Sequence, residues 1–331
     1  MKLTSFYTIE NHFSKLICYQ KRTLINNAPF FVLLRHNSYF MNGIPVLNIQ
    51  QFEQDVPLSD FYSNDLRNHL DKNKSFFEKP HRHDFFLCVL FSKGSGIHEI
   101  DFNTYIIKAG SVFFLRPGQT HYWKFDDIPE GFIFFHTQDF YELHFSKSKL
   151  EQFPYYYSLK NTPTLHLESN KIKTLESKFK DINDEYYKNL PYKKQKIASL
   201  INTTYIDLSR LYSTHKSIKN TTSLTYIRTL RSLETVLDTH YRTEKLAKFY
   251  ANQLNITPKH LNRIAKATLG KTTTDLITER VILESKRLIV HSNNSLSVIS
   301  EILGFQDYGY FSKVFKSKTL MTPLEFKKKY Q

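Results

Sequence analysis

Two groups of residues have types and spacings that can do chemistry. His81 and His83 flank Arg82, and residues two apart on a strand face the same side. A third histidine, His121, follows Pro117-Gly118-Gln119-Thr120 beside another β-prone run. Imidazoles meeting from neighbouring strands have the make-up of a facial metal site, or of hydrogen-bonding groups in a ligand pocket. Tyr105 and Trp123 would add aromatic walls with polar tips, or simply serve as core. The second group is a repeat: Leu261-Asn262-Arg263-Ile264-Ala265-Lys266 and Phe311-Ser312-Lys313-Val314-Phe315-Lys316 both read apolar, polar, basic, apolar, apolar, basic, 50 residues apart. On a helix the basic residues at i and i+3 share one face and the apolar ones another. Such a basic face suits a polyanion, with ammonium groups on phosphates and planar donors on base edges.

The flanking residues place both copies on helices. Residues 246–254 predict a short amphipathic helix, followed by Asn255-Ile256-Thr257-Pro258. Asn tolerates the left-handed conformation of a tight turn, Thr257 is a good N-cap, and Pro258 suits the first helical position. In the second copy residues 296–303 form the short helix, Gly304 supplies the turn, and Gln306 and Asp307 open the next helix. Helix, tight turn, basic helix is the helix-turn-helix arrangement, here in two copies. Residues 272–291 predict one long helix between them, about 30 Å at 1.5 Å per residue. That approaches the roughly 34–36 Å between successive major-groove faces of B-DNA.

Thr257, Lys259, His260, Asn262, Arg263 and Lys266 are assigned to the first DNA-reading helix. Arg263 is the candidate for bidentate contact to guanine and Asn262 for adenine. Tyr308, Tyr310, Lys313 and Lys316 serve the second helix, the lysines on phosphates or else as solvated surface. Ile256, Leu261, Ile264, Phe311, Val314 and Phe315 read as core.

The front half has a different period. Residues 85–91, 97–102, 105–107, 112–115, 121–123 and 132–135 are short apolar and aromatic runs split by Gly and Pro turns, the pattern of an antiparallel barrel or sandwich. From about residue 170, Ile172, Leu175, Phe179, Ile182 and Tyr186 fall at helical spacing. After Pro191, Ile197, Ile201, Tyr205, Leu208 and Tyr212 do the same. These two helices could pack on their own barrel, form a subunit interface, or both. Asn220-Thr221-Thr222-Ser223 is a polar break. The expected organisation is a sensing domain over 1–160, a helical linker and dimerisation region over 161–221, and a DNA-binding domain over 222–331; residues 1–80 show no clear period.

The chain has 331 residues and a net charge of +15, enough for about two domains. An apolar fraction of 40% excludes a mostly disordered chain, and two cysteines, Cys18 and Cys88, exclude a disulfide scaffold. No apolar stretch is long enough to span a bilayer, and the polar start argues against a signal peptide, so a cytoplasmic, membrane-free protein is expected. Residues 1–150 carry 16 basic and 15 acidic side chains, whereas residues 221–331 carry 18 and 9. A uniform lysine bias would not leave the first segment neutral, so the asymmetry points to nucleic acid for the second.

The carboxyl-terminal run from Gly304 to Lys316, then Met321-Thr322-Pro323-Leu324-Glu325-Phe326, resembles the signature of AraC/XylS-type bacterial transcription regulators over roughly residues 222–330. Leu320 stands where that family usually has a helix-ending Gly, Gly309 where Ser is common, and Ser300 where a small Ala packs. His81, His83 and His121 are similar to the metal-binding motifs of cupin barrels, but Leu87 or Cys88 occupies the place of the cupin Glu, and only Cys88 could ligate a soft metal there. The resemblance implies a cupin-like barrel binding a small effector, with His81, His83, Tyr105, His121 and Trp123 as pocket residues. It implies double-stranded operator DNA as partner, a homodimer, contact with RNA polymerase, no cofactor and no enzymatic activity. The competing readings are a metal-dependent cupin enzyme with a DNA-targeting tail, and a sequence-blind DNA-coating protein.

Overall fold

Aromatic and β-branched runs between Gly and Pro turns build the front half into strands. The computed structural model describes residues 44–52, 58–77, 79–145, 150–156, 159, 161–215 and 224–330, to which all structural statements refer. Cys18 and the break at 220–223 lie outside them. The strands are β1 (Val46–Leu47), β2 (Phe61–Asp65), β3 (Arg82–His83), β4 (Phe86–Lys93), β5 (Gly96–Ile100), β6 (Asn103–Ile107), β7 (Ser111–Leu115), β8 (His121–Phe125), β9 (Glu130–His136) and β10 (Thr164–His166). They form a five-stranded sheet of order β10-β7-β4-β9-β2, a three-stranded sheet of order β6-β5-β8, and a short parallel pair, β1-β3. Helices α1 (Leu66–Lys72), α2 (Lys74–Phe77) and α3 (Gln138–His144) fill the connections.

The expected cupin-like barrel does not close among the described residues. The two larger sheets keep their own edges, β10 and β2 in one and β6 and β8 in the other. What joins them is side-chain packing between their faces, not a continuous hydrogen-bonded ladder. The Pro117-Gly118 turn carries the chain from one sheet to the other.

Strand β4 shows why residues 85–91 read as an unbroken apolar run: both of its faces are buried. Phe86, Cys88 and Leu90 face one core with Phe114 and Phe134, while Leu87, Val89 and Phe91 face a second core with Trp123 and Ile100. The first core is covered by α4 (Ser169–Tyr187) and α5 (Lys193–His215). They bury Leu175, Phe179, Ile182 and Tyr186, then Ile197, Ile201, Tyr205, Leu208 and Tyr212, against the five-stranded sheet. Their apolar faces therefore pack on their own domain.

The remaining helices are α6 (Leu224–His240), α7 (Ala247–Gln253), α8 (Pro258–Leu269), α9 (Thr273–His291), α10 (Leu296–Ile302), α11 (Tyr308–Thr319) and α12 (Pro323–Tyr330). At 19 residues, α9 is about 28 Å long.

Candidate nucleic-acid interface and its attachment to the sheets

The first reading helix, α8, is positioned by its cap and its core. Asn255 takes a left-handed φ of 53°, turning the chain out of α7. Thr257 then caps α8, its side-chain oxygen accepting from the His260 amide at 3.2 Å. Leu261, Ile264 and Ala265 are buried with Leu233, Leu237 and Leu276, which leaves Lys259, Arg263 and Lys266 exposed on the opposite face. Arg263 Nη2 lies 3.3 Å from His260 Nδ1. Asn262 is half-buried, and its Oδ1 accepts from the Thr273 amide at 3.1 Å, capping α9. Base reading by Asn262 would require breaking that cap or using its amino group alone.

The second reading helix, α11, is built the same way. Gly304 takes φ 77°, and a Cβ there would meet the Arg242 carbonyl oxygen at 2.0 Å, so only glycine fits. Asp307 Oδ1 accepts from the Tyr310 amide at 2.7 Å. Phe311 and Phe315 are buried, while Lys313 and Lys316 are exposed. Tyr310 is 62% exposed; Tyr308 is half-buried, with its ring centroid 6.1 Å from that of Phe311. Ser300 is buried and donates to the Ser297 carbonyl at 2.7 Å, satisfying the hydroxyl that an alanine would not bring. Leu320 ends α11 at φ 65°, the left-handed position that favours glycine.

The two motifs are fastened to each other. The Lys245 ammonium donates to the carbonyls of Tyr241 (2.5 Å), Arg242 (2.8 Å) and Leu303 (2.8 Å). It thus ties the segment before α7 to the end of α10. Lys318, on α11, pairs with Asp275 in the first turn of α9 at 2.7 Å.

An ionic cluster that the sequence did not announce attaches α9 to the sheets. Arg287 donates to Asp101 Oδ1 from Nε (2.8 Å) and Nη2 (2.5 Å), and to Glu284 at 3.0 Å. Arg82 of β3 reaches Glu284 at 3.2 Å, and Arg116 pairs with Glu234 of α6 at 2.8 Å. Burial alone would raise the Glu284 pKa, but the charges of Arg287, Arg82 and Arg280 more than offset it and hold it at about 2. Asp101 and Phe102 both have left-handed backbone, φ 50° and 65°. The turn that offers Asp101 to Arg287 also sets Phe102 against His291, Phe326 and Tyr330. Glu284 and Arg287 show helical i, i+3 spacing in the sequence, but nothing in their types names the strand turn as their partner.

The histidines His81, His83 and His121 come together in the second core, joined by His98 from β5, which sequence reasoning missed. His98 Nε2 and His121 Nδ1 are 3.0 Å apart, and the His81 and His121 ring centroids are 4.3 Å apart. His83 and His81 donate from Nδ1 to the Phe85 and Lys79 carbonyls at 2.8 and 3.0 Å. Desolvation depresses all four imidazoles, His83 to about 3, so they are neutral at pH 7. Cys88 faces the other core, and so cannot ligate beside them. Among the described residues no group of three His, Cys, Asp or Glu is arranged to hold a metal ion. Trp123 is buried against His98 and His121. Tyr105, opposite His98 in the β5–β6 ladder, packs against the margin of the same core and also lines a cleft of about 480 Å³ between the sheets and α6 and α9.

Comparison with known proteins bears on both halves. Residues 67–132 match the AraC-like ligand binding domain and residues 250–329 a helix-turn-helix domain. A sheet domain of the first kind joined to a double helix-turn-helix defines an AraC-type regulator. The chain thus matches both parts of such a regulator. It is similar to the HTH-type transcriptional activator Btr of Bacillus subtilis, 26% identical over 262 residues, covering 74% of this chain but only 45% of Btr. It is similar to the activator RhaR of Escherichia coli K12, 22% identical over 83% of this chain and 92% of that one. Among solved structures, ToxT from Vibrio cholerae is 14% identical over 82% of this chain and 99% of its own, with a TM-score of 0.39. No helix among the described residues is long and apolar enough to cross a membrane.

Proposed function

We propose that this protein is a sequence-specific transcription regulator that binds promoter DNA as a homodimer, contacts RNA polymerase and responds to a small effector. The observation that carries the reading is the pair of capped helices, α8 and α11, with matching exposed basic faces, both bonded to the first turn of a 19-residue helix, α8 through Asn262 and α11 through Lys318. Arg263 reads a base edge, and Lys266, Lys313 and Lys316 hold phosphates. The charge of the segment, 18 basic against 9 acidic side chains over residues 221–331, supplies the sequence-independent part of the affinity. The sheet domain senses, and its attachment through Asp101 and Arg287 carries the response to the reading helices. No chemical transformation is assigned to it.

The test is selection from random duplexes at fixed salt, followed by titration of the selected and a scrambled duplex. A regulator of this kind prefers its selected site by roughly 10³-fold or more. Equal affinity for both would make it a DNA-coating protein instead.

A further inference from the structure

We infer that the effector site is the cleft between the sheets and α9, and that it takes a small, uncharged, hydroxyl-bearing molecule; this rests on the reading of the chain as an effector-responsive regulator. The cleft's volume of about 480 Å³ falls in the range of small-molecule sites, roughly 300–1,000 Å³. The interior between the sheets is a poorer candidate, because His81, His83, His98, His121 and Trp123 are all buried there in mutual ring contact.

The walls specify the ligand's charge. Lining cations are matched one to one by lining anions: Arg116 with Glu234 at 2.8 Å, Lys271 with Glu279 at 2.8 Å, Arg280 with Asp238 at 2.7 Å, and Arg287 with Asp101. A charged ligand would have to break one of these pairs or lie against an unanswered like charge, both costly at a partly desolvated site. A hydroxyl accepts from a guanidinium and donates to a carboxylate while leaving the pair intact. The Tyr105 hydroxyl lines the same space and has no hydrogen-bond partner among the described residues, so it is available to a ligand. Leu237, Leu276 and Leu283 give the helical wall an apolar surface for the ligand's body. A molecule held there touches both the sheets and α9, so it binds differently when the two part. That difference is what couples it to DNA affinity.

The experiment uses the full chain. The probes are a panel of uncharged polyols, pyranoses and nucleosides, with a matched panel carrying a carboxylate or an amine in place of one hydroxyl. Thermal shift and then calorimetry are read on the wild type and on two variants that fill the cleft from opposite walls, Leu283→Trp and Asn103→Trp. At least one uncharged probe should bind the wild type saturably, bind both variants at least tenfold more weakly, and shift the affinity for the selected duplex. If Leu283→Trp fails to fold, Asn103→Trp, at the exposed start of β6, decides. Binding undiminished by filling, binding of charged probes only, or no binding by any probe overturns the proposal. Selective DNA binding by probe-free protein is read on the same samples. Its absence would sink the regulator reading itself, whereas its presence without probe binding would sink only the cleft.

Discussion

Arg287 and Asp101 are 186 residues apart in the chain and joined by two guanidinium hydrogen bonds onto one carboxylate oxygen, at 2.8 and 2.5 Å. Arg287 is buried, and its permanent charge is answered there by Asp101 and Glu284. Asp101→Asn keeps a side chain that tolerates the left-handed turn but removes the charge. Breaking a buried pair from one side costs about 3 kcal/mol or more, so the urea midpoint should fall by a corresponding amount. The double variant Asp101→Asn, Arg287→Met should recover part of that loss, because the cation left with one anion in place of two is gone, while Glu284 keeps Arg82 and Arg280. A single variant as stable as the wild type would show that the pair does not hold the sheets to α9.

The exposed basic residues of α8 and α11 should separate into two behaviours on DNA. Arg263→Ala is expected to lose about 1–3 kcal/mol on the selected duplex and little on others, relaxing discrimination at one position. Lys316→Ala should weaken all duplexes alike and reduce the slope of log K against log salt by about 1. Uniform weakening by Arg263→Ala would remove its base-reading role.

Leu320 is 86% exposed and sits at φ 65°, so its side chain brings backbone strain without packing. A non-glycine residue in the left-handed region costs roughly 1–2 kcal/mol, partly offset by the greater unfolded-state freedom of glycine. Leu320→Gly should therefore raise stability by about 0.5–1 kcal/mol, read as a higher denaturation midpoint. A lower midpoint would show that Leu320 makes stabilising contacts.

Acid should destabilise the sheet domain through buried imidazoles. Desolvation lowers His69 to about 3 and His136 to about 4, both from 6.5. The unfolded chain takes up these protons as pH falls below about 6.5, while the folded chain resists until about 4. Their contribution is therefore complete above pH 6.5 and is lost as pH falls, at about 1.4 kcal/mol per unit for each group. Between pH 6.5 and 5 that is about 2 kcal/mol per histidine, measurable as a falling urea midpoint. A flat profile would contradict their burial as neutral groups.

The reading helices were legible in the sequence because short-range rules determine them. Thr257 and Asp307 cap as their types predict, Asn255 takes the left-handed turn, and the 50-residue repeat places the exposed basic faces. Strands β4, β5 and β7 were legible from their runs, but not the sheets they join, since runs do not say which edges pair. That is why a closed barrel was expected where two sheets stack. His98 escaped notice because its contact with His121 crosses strands. Asn262 looked like a base reader because its capping partner, Thr273, lies 11 residues on. The clamp between Asp101 and Arg287 and the cleft lined by Tyr105 depend on how the two parts dock, which no local pattern encodes.

Lys245 gives the double motif a mechanical character that neither half has alone. With one ammonium holding carbonyls from both halves, the distance between the reading helices is a property of buried backbone, while the letters they read belong to exposed side chains. The two can drift independently over evolutionary time. An exposed position such as Arg263, the proposed base reader, is free to change without disturbing that distance. The permitted spacing between the two halves of a site stays fixed until the clasp itself is rebuilt.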